Sequence, residues 1–252
     1  MGTSTIIRSG RTICFHTTGS SDAGRCVVFV HPSPGSGAFD PDPDQTARRH
    51  VLLVGVDRPG YGGSDPYRQG DFPSIAAAVD DIAAVLDRLG FTTAGVAGWS
   101  AGGRVALALA ARLPEVVDRV AVLATPAPAD AVAWAPPDRH ELIDVLRPPH
   151  TGAEVKARLD AMLEHAGSGG LADDILSYAA RPWGFDPEDV QAKTLLLYGM
   201  ADVTVKGAHA RWWKDRLPDS RIEMMPKLGH LLIVPAWERV LSHLAPGSIA
   251  SN

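Results

Sequence analysis

The stretch Thr93-Ala94-Gly95-Val96-Ala97-Gly98-Trp99-Ser100-Ala101-Gly102-Gly103-Arg104-Val105-Ala106-Leu107 decides how the rest of the chain is read. Thr93–Ala97 is a short apolar run of the kind that forms a buried strand. Gly103–Leu113 is apolar nearly all round, as in a helix packed under a sheet, and Pro114 stops it. Between them lies Gly98-Trp99-Ser100-Ala101-Gly102. A G-x-S-x-G run between a strand and a helix is a nucleophile elbow. The turn is so tight that the serine is held at strained dihedrals, and glycines on either side let neighbouring backbone pass without a Cβ clash. The Ser100 hydroxyl is thereby lifted clear of the sheet, in front of the free N–H groups and positive dipole end of a helix.

Working outward, strand-like runs occur at Thr12–His16, Cys26–His31, Val51–Asp57, Val117–Leu123, Thr194–Tyr198 and Arg221–Met225. From Val51 onward they are near-continuous hydrophobic runs, which is how parallel strands covered on both faces read. Thr12–His16 and Cys26–His31 carry polar residues among the apolar ones and are expected to form an antiparallel edge. Helical spacing marks Ser74–Leu89, with Ser74 as N-cap and Gly90 just past its end, and the shorter Ala208–Arg216 and Trp237–Leu244. Strands alternating with helices predict an α/β fold with a mostly parallel sheet. Residues 126–190 break this rhythm. They open on Pro126, Pro128, Pro136 and Pro137, then show helical patterns at Asp138–Leu146, Gly152–His165 and Leu171–Ala180. They are expected to form a helical cap inserted into a core made of 1–125 and 191–252.

The chain has 252 residues, 24 Lys+Arg against 29 Asp+Glu and a formal net charge of −5. The acidity is spread out and no basic block is present, so a nucleic-acid footprint is not expected. No apolar run approaches the ~20 residues that span a bilayer, and the first residues lack an apolar leader, so the chain reads as cytoplasmic. Cys14 and Cys26 sit in apolar strand-like runs and read as buried free thiols. No Cys/His spacing suggests a zinc site.

A serine hydroxyl needs a base. His230, in Leu228-Gly229-His230-Leu231, follows the last strand run, and Asp202 follows Thr194–Tyr198. Both lie past the carboxyl ends of parallel strands, as Ser100 does, and ligand sites of open α/β sheets form on that edge. The order Ser, Asp, His is that of a nucleophile-elbow triad. Ser100 is then the nucleophile, His230 the base and Asp202 the residue that orients it. The oxyanion hole is expected from the N–H of Ala101 and from the loop His31-Pro32-Ser33-Pro34-Gly35. There Pro32 and Pro34 have no N–H, which leaves Ser33. Phe39, Trp99, Trp134 and Trp183 are candidates to line an apolar substrate pocket.

Five strings carry a resemblance: His31-Pro32-Ser33-Pro34-Gly35, Asp57-Arg58-Pro59-Gly60-Tyr61-Gly62-Gly63-Ser64, Gly98-Trp99-Ser100-Ala101-Gly102-Gly103, Gly199-Met200-Ala201-Asp202 and Gly229-His230. In this order and spacing they resemble the α/β-hydrolase superfamily over almost the whole chain. The nearest group is the small-cap esterases, lactonases, perhydrolases and iminopeptidase-like enzymes. The resemblance implies an eight-stranded, mostly parallel sheet, a helical cap and no cofactor or metal. The family's usual His-Gly is His31-Pro32 here, which stiffens that loop. It further implies a serine hydrolase acting on a small ester, lactone or related acyl compound through an acyl-enzyme. Two alternatives stay open at this point: a non-hydrolytic reaction on the same fold (hydroxynitrile lyase or cofactor-free perhydrolase), and a ligand-binding sensor without catalysis. The partner expected is a small molecule, with neither nucleic acid nor membrane, and the oligomeric state is not legible.

Overall fold

The computed structural model describes residues 1–135, 137–179 and 183–248. Pro136 and Ala180, both named above, and the last four residues lie outside them. Eight strands form one sheet in the order β1-β2-β4-β3-β5-β6-β7-β8. They are β1 Gly2–Arg8, β2 Arg11–Gly19, β3 Cys26–Val30, β4 Leu52–Val56, β5 Ala94–Trp99, β6 Val117–Leu123, β7 Lys193–Gly199 and β8 Ser220–Met225. The pairs β1/β2 and β2/β4 are antiparallel, and every later pair is parallel.

The composition of the strands explains their positions. β3 reads Cys-Val-Val-Phe-Val and is buried throughout, as a central strand covered on both faces must be. This corrects the expectation of an antiparallel edge at Cys26–His31, because β3 runs parallel to both β4 and β5. The antiparallel edge is instead β1 with β2, and β1 has no counterpart in the sequence reading. Its residues are mostly exposed and lack a buried alternating face. The signal for it was the loop: Ser9 and Gly10 both have positive φ, at 51° and 75°, the requirement of a two-residue hairpin turn.

The helices are α1 Pro43–Arg48, α2 Ile75–Leu89, α3 Gly102–Arg112, α4 Arg139–Leu146, α5 Ala153–Ala166, α6 Gly170–Ala179, α7 Gly207–Lys214 and α8 Trp237–Leu244. α2 starts where the Ser74 side chain accepts from the Ala77 N–H, and ends at Gly90 with φ 74°. α3 is buried from Gly102 to Ala110. One apolar cluster gathers α2, α3 and α7 on one face of the sheet, and a second gathers α8 with Phe39, Trp99 and the α5 residues Leu159 and Met162. Between β6 and β7 the chain builds α4, α5 and α6 and, among the described residues, no strand. α4 opens with a reciprocal cap in which Asp138 accepts from the Glu141 N–H and Glu141 accepts from the Asp138 N–H. No described helix is long and apolar enough to cross a membrane. Cys14 and Cys26 are buried and form no disulfide, and burial pushes their thiols up to about 11 and about 12.

Candidate active site

Ser100 leaves β5 with φ 54°, a conformation that costs a non-glycine residue about 1–3 kcal/mol. Two hydrogen bonds hold it there. Its N–H donates to the Leu123 carbonyl at 2.8 Å, and Thr125 Oγ1 donates to its carbonyl at 2.9 Å. No side chain caps α3, which starts two residues later. The N-terminal end of that helix therefore keeps its positive dipole end toward the serine.

Asp202 follows β7 and His230 follows β8, so adjacent parallel strands deliver both to the sheet edge that carries Ser100. His230 Nδ1 and Asp202 Oδ2 are 2.8 Å apart, both side chains being buried. An ionised carboxylate only accepts hydrogen bonds, so Nδ1 carries the proton and Nε2 is left as the basic nitrogen. Asp202 Oδ1 accepts from the N–H groups of Thr204 at 2.8 Å and Val205 at 2.9 Å. Burial alone would raise this carboxyl. The hydrogen bond and charge of His230, with those two N–H groups, outweigh burial and hold it below the ordinary carboxylate value. The imidazole is further fixed by Trp99, whose Nε1 donates to the His230 carbonyl at 2.9 Å and whose ring packs 6.2 Å from the histidine ring. Among the described residues no hydrogen bond joins Ser100 Oγ to His230 Nε2. Such contacts commonly tighten only when substrate binds.

Ser33 and Ala101 line the same pocket as Ser100, a narrow space of about 40 Å³ that opens to solvent. Its opposite wall comes from the segment between β6 and β7, with Trp134, Leu142, Leu171 and Ile175. Of the four aromatic pocket candidates, Trp134 lines this space and three lie elsewhere. Phe39 and Trp99 pack on each other at 6.1 Å inside the second core cluster. Trp183 stacks on Trp213 at 6.0 Å in the first. Aromatic rings of that size are drawn into the core by the area they remove from water, and sequence spacing does not reveal in which direction they point.

The loop that carries Ser33 is pinned by Arg58 and by Asp174 on α6. His31 Nε2 accepts from the Arg58 N–H at 3.1 Å, so Nδ1 bears the proton and donates to the Pro32 carbonyl at 2.8 Å. Burial, reinforced by the Arg58 charge, drives the His31 imidazole down to about 3, so it stays neutral and structural. The Arg58 guanidinium donates to the carbonyls of His31 and Pro32, to Ser33 Oγ and to Asp174 on α6. Asp174 also accepts from Ser33 Oγ and from Tyr61 Oη. Arg58, Tyr61, Asp174 and Arg104 were all missed. The available signal was a charged residue within an apolar helix, at Arg104, which calls for a partner or a purpose.

Cys14, His16 and Asp57 bring potential ligand atoms within 4.8 Å of one another. Asp57 already accepts from the N–H groups of Gly37 and Gly63, and Oδ2 lies 3.1 Å from both His16 Nε2 and His165 Nε2. With a neutral buried thiol beside it, the group works as a hydrogen-bonded tie between β2, the turn after β4 and α5. Burial would raise the Asp57 carboxyl, but the bond from His16 and the N–H groups of Gly63 and Gly37 hold it well below the usual range. A depressed folded pKa means that the unfolded chain binds more protons near pH 4. The stabilisation is therefore complete above about pH 5 and lost progressively as the pH falls below that. Thermal melts against pH should show this loss. Asp57→Asn should melt lower at pH 7 and show a flatter acid limb, and an unchanged limb would refute the assignment.

A model described as the alpha/beta hydrolase fold matches residues 26–147. The AB hydrolase superfamily protein YisY of Bacillus subtilis is 35% identical over 109 residues, 42% of this chain and 40% of that protein. The chain thus spans about two fifths of YisY. A pimeloyl-[acyl-carrier protein] methyl ester esterase of Nitrosomonas europaea is 28% identical, over 92% of this chain and 97% of its own. Among solved structures, a hydrolase from Pseudomonas aeruginosa superposes with a TM-score of 0.77 at 19% identity, over 95% of this chain and 97% of that one. The chain has the α/β-hydrolase fold, and the matching model covers just under half of it.

Proposed function

We propose that the protein is a serine hydrolase that cleaves a small carboxylic ester or related acyl compound, with Ser100, His230 and Asp202 as its triad. The observation that carries this reading is the buried 2.8 Å contact between His230 Nδ1 and Asp202 Oδ2, at the sheet edge where Ser100 sits at positive φ. The esterase named among the relatives supports the ester as the bond attacked. His230 Nε2 takes the Ser100 proton as Oγ adds to the carbonyl carbon. The Ala101 and Ser33 N–H groups receive the negative oxygen, each such donor being worth about 3–4 kcal/mol in the transition state. The imidazolium returns the proton to the leaving alcohol. A water molecule, deprotonated by the same nitrogen, then releases the acid and frees Ser100. In this reading residues 126–190 act as a cap: α4 and α6 overhang Ser100 and exclude bulk water from the acyl-enzyme.

A fluorophosphonate probe tests the proposal. The protein should label at Ser100, the Ser100→Ala variant should not, and labelling should abolish turnover of p-nitrophenyl butyrate. An unlabelled protein whose Ser100→Ala variant still hydrolyses that ester would sink the reading.

A further inference from the structure

Arg104 has no part in the chemistry above, yet it lines the pocket of Ser100. It lies four residues after the serine, within the first turn of α3, and only 2% of it is exposed. Its Nε and Nη1 are buried without a hydrogen-bond partner. A guanidinium has five donor hydrogens and is normally paired when buried, because an unpaired charge in a dry site is costly. What surrounds it here is aromatic: the Tyr178 ring at 4.5 Å and the Trp183 ring at 5.7 Å. These faces favour a cation but accept no N–H bond of carboxylate strength.

Asp174 is the obvious candidate partner and is otherwise engaged. Its Oδ1 takes the Arg58 guanidinium, and its Oδ2 takes Ser33 Oγ and Tyr61 Oη. The Arg58–Asp174 pair is neutral as a unit, so Arg104 leaves one positive charge unmatched in the pocket wall. Burial lowers its pKa to about 10, which still leaves it protonated at neutral pH.

We propose that Arg104 binds a carboxylate on the acyl part of the substrate, so that the preferred esters are half-esters of short dicarboxylic acids. The ester part of this inference rests on the serine-hydrolase reading, whereas the carboxylate site does not. Planar, forked donors match a carboxylate in geometry as well as charge. The acyl side is assigned because Arg104, only 2% exposed, lines the pocket one helical turn past Ser100, the residue on which the acyl part stays. The alcohol must depart through the solvent-open end, while the acyl part stays on Ser100. Held this way, the carboxylate orients the ester carbonyl toward Ser100 Oγ and contributes to the choice of substrate.

Binding to the Ser100→Ala variant separates this proposal from the catalytic one. Titration calorimetry should show monomethyl glutarate binding at least ten-fold tighter than the neutral dimethyl glutarate. Arg104→Met in the same background should remove that preference, and Arg104→Lys should keep part of it. With Ser100 intact, the ratio of kcat/KM for the p-nitrophenyl half-ester of glutaric acid over p-nitrophenyl valerate should exceed ten. In Arg104→Met that ratio should fall to about one, mainly through KM. A purely structural Arg104 would lower activity on both esters alike and leave the ratio unchanged. Equal binding of half-ester and diester by Ser100→Ala, or a preference that survives Arg104→Met, overturns the proposal. If Arg104→Met fails to fold, the first comparison still decides. If no ester is cleaved while the half-ester binds selectively, the carboxylate site stands and the hydrolase reading falls.

Discussion

Replacing Ser100 with alanine is expected to lower kcat for ester hydrolysis by about 10⁵-fold, with stability nearly unchanged. The size follows from removing the nucleophile of a unit whose members act together. His230→Ala should cost about as much, and the double variant little more than either, because each single change already disables the same proton transfer. Asp202→Asn should cost about 10⁴-fold by a different route. The asparagine side chain offers an N–H as well as a carbonyl toward Nδ1. It no longer compels the tautomer in which Nε2 is the base. Stability should hardly move, because alanine carries a Cβ and keeps the strain of φ 54°, and among the described residues the Ser100 hydroxyl makes no hydrogen bond that alanine would forfeit. Steady-state kinetics and thermal melts on the three single variants and the double variant check this. Additive losses across Ser100 and His230 would show that the two act independently.

Gly102→Ala is expected to be the most damaging single methyl added to the elbow. A Cβ at Gly102 would lie 2.2 Å from the Val30 carbonyl oxygen and 2.6 Å from that of His31. Both are backbone atoms at the end of β3, which is hydrogen-bonded on both sides and cannot yield. Overpacking of this kind costs about 3 kcal/mol or more. In a chain of this size that lowers Tm by roughly 10 °C. Activity should fall further than stability does, because the only way to relieve the contact is to move α3 away from the loop that carries Ser33. Gly103→Ala offers a graded comparison. Its Cβ would meet Thr125 Oγ1 at 1.9 Å, a side-chain atom that could rotate only by giving up its bond to the Ser100 carbonyl. A Gly102→Ala variant with wild-type Tm and turnover would refute the close packing of elbow against β3.

Residue types in sequence order were enough to anticipate the sheet, its parallel sense from β4 onward, and the two helix ends at Ser74 and Gly90. Each of these is a local property: an unbroken apolar run, an oxygen that accepts from a helix N–H, a glycine at positive φ. β1 escaped because an edge strand of polar, exposed residues has no buried face to imprint a period of two. Three of the four aromatic candidates lie away from the pocket for a related reason. Phe39 and Trp183 have the composition of a pocket wall, but side-chain direction depends on which neighbours the fold supplies, and both turn inward.

The chain by itself determined that a serine would sit in a strained strand-to-helix turn, with an acid and a histidine after later strands, because the local glycines and the alternation of elements leave little choice. Only the folded molecule decided that Asp202 meets His230 at 2.8 Å. It likewise decided that Arg58 and Asp174 tie the Ser33 loop to α6, and that Arg104 stands unpaired in the pocket wall. Those facts depend on which polar side chains the fold brings together across 25 to 141 residues of chain, where burial makes pairing matter, and no local pattern encodes that.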